Sequence, residues 1–114
     1  VFNWRPGVAL ANTSNVIQVR VQDGGAPNLE DTKSFSVMIN PIAPVVLTAL
    51  AHSNGGFHLN VNGSVGPDYV ILASTNLADW SSIATNTPLA LPFQFSDPAA
   101  STFSNRAYRV RLEP

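Results

Sequence analysis

The chain contains no cysteine, which excludes a disulfide framework, a thiol nucleophile and thiolate metal sites. Charge is also scarce. Asp, Glu, Lys and Arg make up 11% of the 114 residues, against about 25% in ordinary soluble domains. Six basic and seven acidic side chains leave a formal net charge of −1, so there is no electrostatic footprint for nucleic acid or an anionic membrane surface. Arg106, Arg109 and Arg111 gather near the C-terminus, but their alternating context reads as a solvated strand face. No apolar run approaches the ~20 residues of a membrane-spanning helix. No secretory signal is recognisable either, so for an exported protein the signal lies outside these residues. No stretch sustains the 3.6-residue period of an amphipathic helix.

Period-2 alternation is what the chain has instead. In VIQVRVQ, Ile17, Val19 and Val21 share one face and Gln18, Arg20 and Gln22 the other. KSFSVMIN sets Phe35, Val37 and Ile39 against Ser34, Ser36 and Asn40. GFHLNVNG sets Phe57, Leu59 and Val61 against His58, Asn60 and Asn62, and AYRVRLE sets Tyr108, Val110 and Leu112 against Arg109 and Arg111. Such segments are half-buried strands. DYVILAST is apolar on both faces, as a central strand covered on both sides would be. Turn signals separate the segments: DGGAPN, SNGG, NGSVGPD and DPAAS. The pattern predicts an all-β chain of antiparallel sandwich type. Asn, Ser, Thr and Gln supply the polarity that charge does not. That composition suits an extracellular or cell-surface bacterial protein.

Two prolines, Pro41 and Pro44, mark a seam. Each lacks an N–H and pushes the residue before it towards extended geometry. Ahead of the seam the pattern predicts strands at Phe2–Arg5, Asn15–Gln22 and Lys33–Asn40. Behind it strands are predicted at Val45–Leu50, Phe57–Asn62, Asp68–Ser74, Trp80–Ala84, Leu91–Ser96 and Arg106–Leu112. The opening VFNWRPGVAL reads as the interior of a domain. Residues 1–41 are accordingly expected to be the back half of one sandwich, and residues 45–114 a small whole one. Three strands cannot close a sandwich, so residues 1–41 are expected to self-associate, as unpaired edges invite; the alternative is that these strands lie on the C-terminal sandwich and extend it into one compact domain.

The order Phe2-x-Trp4-x-Pro6, then Val21-Gln22-Asp23-Gly24-Gly25-Ala26-Pro27-Asn28-Leu29, then Phe35–Asn40 resembles the C-terminal half of bacterial cadherin-like and immunoglobulin-like repeats. Gly56-Phe57-His58-Leu59, the run Tyr69–Trp80, Phe95-Ser96-Asp97 and Arg106-Ala107-Tyr108-Arg109-Val110 resemble the Ig-like, or fibronectin-III-like, C-terminal modules of large exported bacterial proteins. The resemblance implies an antiparallel Ig-like β-sandwich over 45–114 and a partial second sandwich over 1–41. It also implies a spacer, anchoring or adhesion role beside other domains. One departure bears on calcium. Cadherin-like repeats bind it through an acidic linker, and here the linker is Asn40-Pro41-Ile42-Ala43-Pro44, with no carboxylate.

Candidate site residues are few. Asp23, Glu30 and Asp31 form the one acidic turn region, a thin supply for an ion that takes six to eight oxygens. Turn chemistry is the simpler role for them. His52 and His58 are the only histidines, too few for a site of three or four ligands. No Gly-x-Ser-x-Gly elbow occurs, and Asp68, Asp79 and Asp97 fall at predicted strand ends. Trp80 is expected to anchor the core with Phe57, Tyr69, Phe95 and Tyr108. The alternative makes Trp80 and Tyr69 a sugar-stacking platform, as in a carbohydrate-binding accessory module of a secreted glycan-active enzyme. The expectation is a non-catalytic module without cofactor. Its expected partners are other domains of a larger polypeptide, itself, or a polysaccharide.

Overall fold

Eight strands form, and every one pairs antiparallel. They are β1 (Ser14–Gln22), β2 (Glu30–Met38), β3 (Val46–Ser53), β4 (Gly56–Asn62), β5 (Asp68–Ser74), β6 (Ser81–Asn86), β7 (Phe93–Asp97) and β8 (Ala107–Glu113). The computed structural model describes the backbone of all residues and the side chains of all but residues 51–53. The protein is all-β, with only single 3-10 turns at Val8–Leu10 and Ala100–Thr102. Contacts divide it into two units: Ala9–Pro41, and Val1–Val8 together with Ile42–Pro114.

The first unit is one hairpin. β1 and β2 pair along their whole length, from Ser14 opposite Met38 to Gln22 opposite Glu30. The ladder is extended past the strand ends by Ile39 N–H to the Thr13 carbonyl and Asn12 N–H to the Asn40 carbonyl. Its loop is built on Asp23, whose Oδ1 accepts from the Gly25 and Leu29 amides at 3.0 and 2.9 Å. The predicted alternation is present, with Ile17 opposite Phe35. None of residues 9–41 is buried, as expected within a unit that has a single two-stranded layer.

No strand forms over Phe2–Arg5, contrary to the alternation there. Pro6 cannot donate to a ladder. Arg5 instead holds the segment to the second unit, donating to Asp68 Oδ2 at 3.1 Å and to the Gly66 carbonyl at 3.0 Å. The partial N-terminal group therefore has two strands.

The second unit has the six predicted strands, arranged as two three-stranded sheets, β3-β4-β7 and β6-β5-β8. Asn54 and Gly55, both at positive φ, make the tight β3–β4 turn, the backbone geometry that favours this pair in two-residue hairpins. The sheets enclose one core. Leu59 and Val61 of β4 and Tyr69 of β5 are its buried centre, with Leu47, Phe57, Phe93, Phe95, Tyr108, Val110 and Leu112 packed round them. Phe57 stacks on Tyr108 at 4.9 Å, and Tyr69 meets Phe93 edge-on at 5.6 Å, each pair bridging the two sheets. β5 is buried from Tyr69 to Ser74, the central strand that its two apolar faces predict.

Trp80 is not in this core. It lies just before β6, half-buried, with its Nε1 donating to the Leu77 carbonyl at 3.1 Å and the Arg109 guanidinium 4.3 Å over its ring. Arg109 alternates with the core-facing Tyr108 and Val110, so this contact is on the outer face of the sheet. The turn before β6 sets this placement: it releases the chain with Trp80 outside the space that Tyr69, Phe57 and Tyr108 already fill.

Candidate functional site

The residues singled out from the sequence do not converge. Tyr69 has 0% of its surface exposed, and its hydroxyl donates to the Ser64 carbonyl at 2.8 Å. It has no face to offer a ligand, so the pairing of Tyr69 with Trp80 as a platform is withdrawn. The packing is close enough that a Cβ on Gly63 would collide with the Tyr69 hydroxyl. Trp80 alone keeps a partly open ring.

The acidic turn residues each have a local partner. Asp23 is held by its own loop amides, which lower its pKa, the Leu29 N–H most and the Gly25 N–H next. Glu30 pairs with Arg20 at 2.6 Å and Asp31 with Lys33 at 3.2 Å. Among the described residues, no group of three or more His, Asp or Glu is placed to hold a metal ion. His58 is half-buried on central β4, and the side chain of His52 lies outside the described residues.

Asp68, at the start of β5, pairs with Arg5 at 3.0 Å and accepts from Thr87 at 2.5 Å. The Arg5 hydrogen bond, then that of Thr87, lowers its pKa. Asp79 accepts from Asn76 Nδ2 at 2.7 Å, inside a turn knitted by Ser74 and Asn76. Ser74 Oγ accepts from the Asn76 and Leu77 amides, and Asn76 Oδ1 from those of Ala78 and Asp79. These carboxylates hold turns together and do not face one another across a cleft.

The most concentrated polar arrangement was not visible in the sequence. Asp97, at the end of β7, is 4% exposed. Its Oδ1 caps the Ala99 amide at 3.0 Å, and its Oδ2 accepts from the Tyr108 hydroxyl at 2.9 Å. Arg106 Nε approaches the same Oδ2 at 2.7 Å, though its N–H does not point along a hydrogen-bonding line to it. Phe103 closes the cluster, with the Arg106 guanidinium 4.2 Å over its ring. Arg106 is therefore not part of the solvated face to which Arg109 and Arg111 belong, since its side chain is only 13% exposed. A carboxylate this buried requires a partner, and the chain supplies it from the loop preceding β8. Burial, then the hydrogen bond and charge of Asp97, pushes the Tyr108 hydroxyl up to about 12. The one signal available in the sequence was an Asp-Pro step directly after an apolar strand.

A concavity of about 410 Å³ opens beside this cluster, lined among others by Ser74, Asn76, Asp79, Phe103 and Arg106. Asn76 and one oxygen of Asp79 are already committed to their turn.

No protein-family model, curated protein or solved structure matches the chain.

Proposed function

We propose that the protein is a non-catalytic Ig-like module that spaces, anchors or joins parts of a larger exported bacterial protein. The observation carrying this reading is the strand order. The sheets β3-β4-β7 and β6-β5-β8 follow the A-B-E and C′-C-F neighbours of an immunoglobulin-type sandwich. Function is inferred here from fold analogy, supported by low charge and by carboxylates committed to turns and ion pairs.

Two measurements test the reading. Fusing a folded domain to each end should leave the melting temperature of the chain unchanged, as a spacer requires. In native gels carrying polysaccharide the chain should migrate without retardation. Retardation that disappears in Trp80→Ala, with the fold retained, would replace the proposal with the second reading, a carbohydrate-binding accessory module. That reading draws its support from Trp80, whose ring is partly open and lies outside the core.

A further inference from the structure

The chain carries two Asn-Gly steps, Asn54-Gly55 and Asn62-Gly63, and the fold treats them differently. Glycine after asparagine leaves the carboxamide open to the next main-chain nitrogen, because no side chain shields the approach. Asn54 and Gly55 are both held left-handed, at φ 52 and 77, in a tight turn closed by Ser53 opposite Gly56. Among the described residues, no hydrogen bond brings the Gly55 amide to the Asn54 carboxamide. Asn62 instead closes β4, opposite Val46, and is exposed. The Gly63 N–H donates to Asn62 Oδ1 at 3.0 Å. Cγ is the atom bonded to Oδ1, so the Gly63 nitrogen already sits beside the carbon it would attack. Holding reacting atoms together in this way removes much of the entropic part of a barrier.

Gly63 cannot give way to a less reactive neighbour. A Cβ there would meet the hydroxyl of Tyr69, which is sealed in the core and donates to the Ser64 carbonyl at 2.8 Å. Packing around Tyr69 therefore demands the very residue that leaves Asn62 open to attack. The same short stretch holds a second contact, since Ser64 Oγ accepts from the Ala43 N–H at 2.8 Å.

We propose that Asn62 is a self-modification site, at which the chain converts asparagine to isoaspartate without an enzyme. The Gly63 nitrogen gives up its proton to solvent base and attacks Cγ of Asn62. The bond from Cγ to the side-chain nitrogen breaks, ammonia leaves, and a five-membered succinimide closes. Water then opens the ring. Attack at Cγ gives aspartate. Attack at the main-chain carbonyl gives isoaspartate, in which the main chain runs through the Asn62 side chain. Both products carry a new carboxylate, and isoaspartate also adds one carbon to the backbone ahead of Gly63. That extra length shifts Gly63 and Ser64 against Tyr69, so a change at the surface loosens the core.

The test ages the full chain in mildly alkaline buffer, natively and in urea. Peptide mapping by mass spectrometry and isoaspartyl-specific methylation follow both steps. In the native chain Asn62 should convert roughly tenfold faster than Asn54, and in urea the two should convert at similar rates. The aged native chain should melt roughly 4–8 °C lower, the shift that loss of one buried hydrogen bond gives a domain of this size. Asn62→Gln, where attack would have to close a larger ring, should abolish both the conversion and the fall. Asn62→Asp, which adds the charge without the extra carbon, should melt as the fresh chain does. Equal rates at the two steps in the native chain, or faster conversion at Asn54, would overturn the proposal. So would the same contrast in urea, which would make it a property of local sequence, or an aged chain that melts like a fresh one. Asn62→Asp melting as low as the aged chain would also overturn it, because charge and not backbone length would then be the cause.

Discussion

The hairpin β1–β2 and the strand pair β4–β5 have the same kind of alternating sequence and opposite fates. Val19 of β1 is 54% exposed, while Val61 of β4 is 0% exposed. Both are valines on the apolar face of a strand. What differs is the second layer. β4 faces β5 and β8 across a core, whereas the unit containing the hairpin has a single two-stranded sheet and no second sheet of its own. Alternation determines that a segment is a strand and which of its faces is apolar. Burial, which carries most of the stabilisation, requires a partner sheet.

Several substitutions would break or sharpen that contrast. The largest effect is expected at the buried Asp97–Arg106 ion pair of the two-layer unit. Asp97→Ala removes the partner of Arg106, the acceptor of Tyr108 and the cap of Ala99, and should cost about 3–5 kcal/mol, as loss of one member of a buried pair does. Urea unfolding measures it. A cost near zero would mean that Asp97 is solvated and the cluster adds nothing. Next comes the direct comparison of the valines. Val61→Ala should cost roughly 2 kcal/mol through lost burial and a cavity, while Val19→Ala should stay within about 0.5 kcal/mol, as exposed sites do. Equal costs would show that the hairpin face is covered in solution.

The third prediction concerns pH. The ordinary tyrosine value is 10.0, and Tyr108 is raised to about 12, so the fold favours the neutral phenol. Its contribution to stability is fully present below about pH 10 and is lost as pH rises towards 12. Stability of the wild-type chain should fall across that alkaline window, and Tyr108→Phe should flatten the fall. Ultraviolet difference spectra showing Tyr108 titrating at the ordinary value would reject the buried hydrogen bond. The smallest effect is at Leu77, which is 70% exposed and held at φ 62. A left-handed conformation costs a branched L-residue roughly 1–2 kcal/mol, and glycine escapes that cost while gaining unfolded-chain entropy. Leu77→Gly should raise stability by about 0.5 kcal/mol, seen as a small rise in melting temperature. A fall would mean that the Leu77 side chain has a packing role in solution.

Most of the strands were legible because alternation is a local signal. All six strands of the second unit lie where the pattern places them, within a few residues at their ends. The Phe2–Arg5 strand failed because two aromatics on one face do not make a ladder when proline follows and a guanidinium has a distant carboxylate to reach. Trp80 was misplaced for a related reason. Size alone marks a core residue, but the number of places in a small core is fixed by the sheets, and Tyr69, Phe57, Phe93 and Tyr108 occupy them. The Asp97–Arg106 pair escaped because its members lie on different elements, and no local pattern joins the end of β7 to the loop before β8.

By itself, the sequence determined the all-β class, the approximate positions of the strands that form, the doubly apolar character of β5 and the Asn54-Gly55 turn. Each follows from backbone chemistry or from a period-2 pattern within a few residues. Tertiary structure alone decided that β4 and β5 bury their faces while the hairpin does not, that Tyr69 is sealed and Trp80 is outside, and that Asp97 recruits Arg106 and Tyr108. Those outcomes depend on which elements meet across the core. Which elements meet is set by the connections between sheets and by competition for a limited interior, neither of which any single segment encodes.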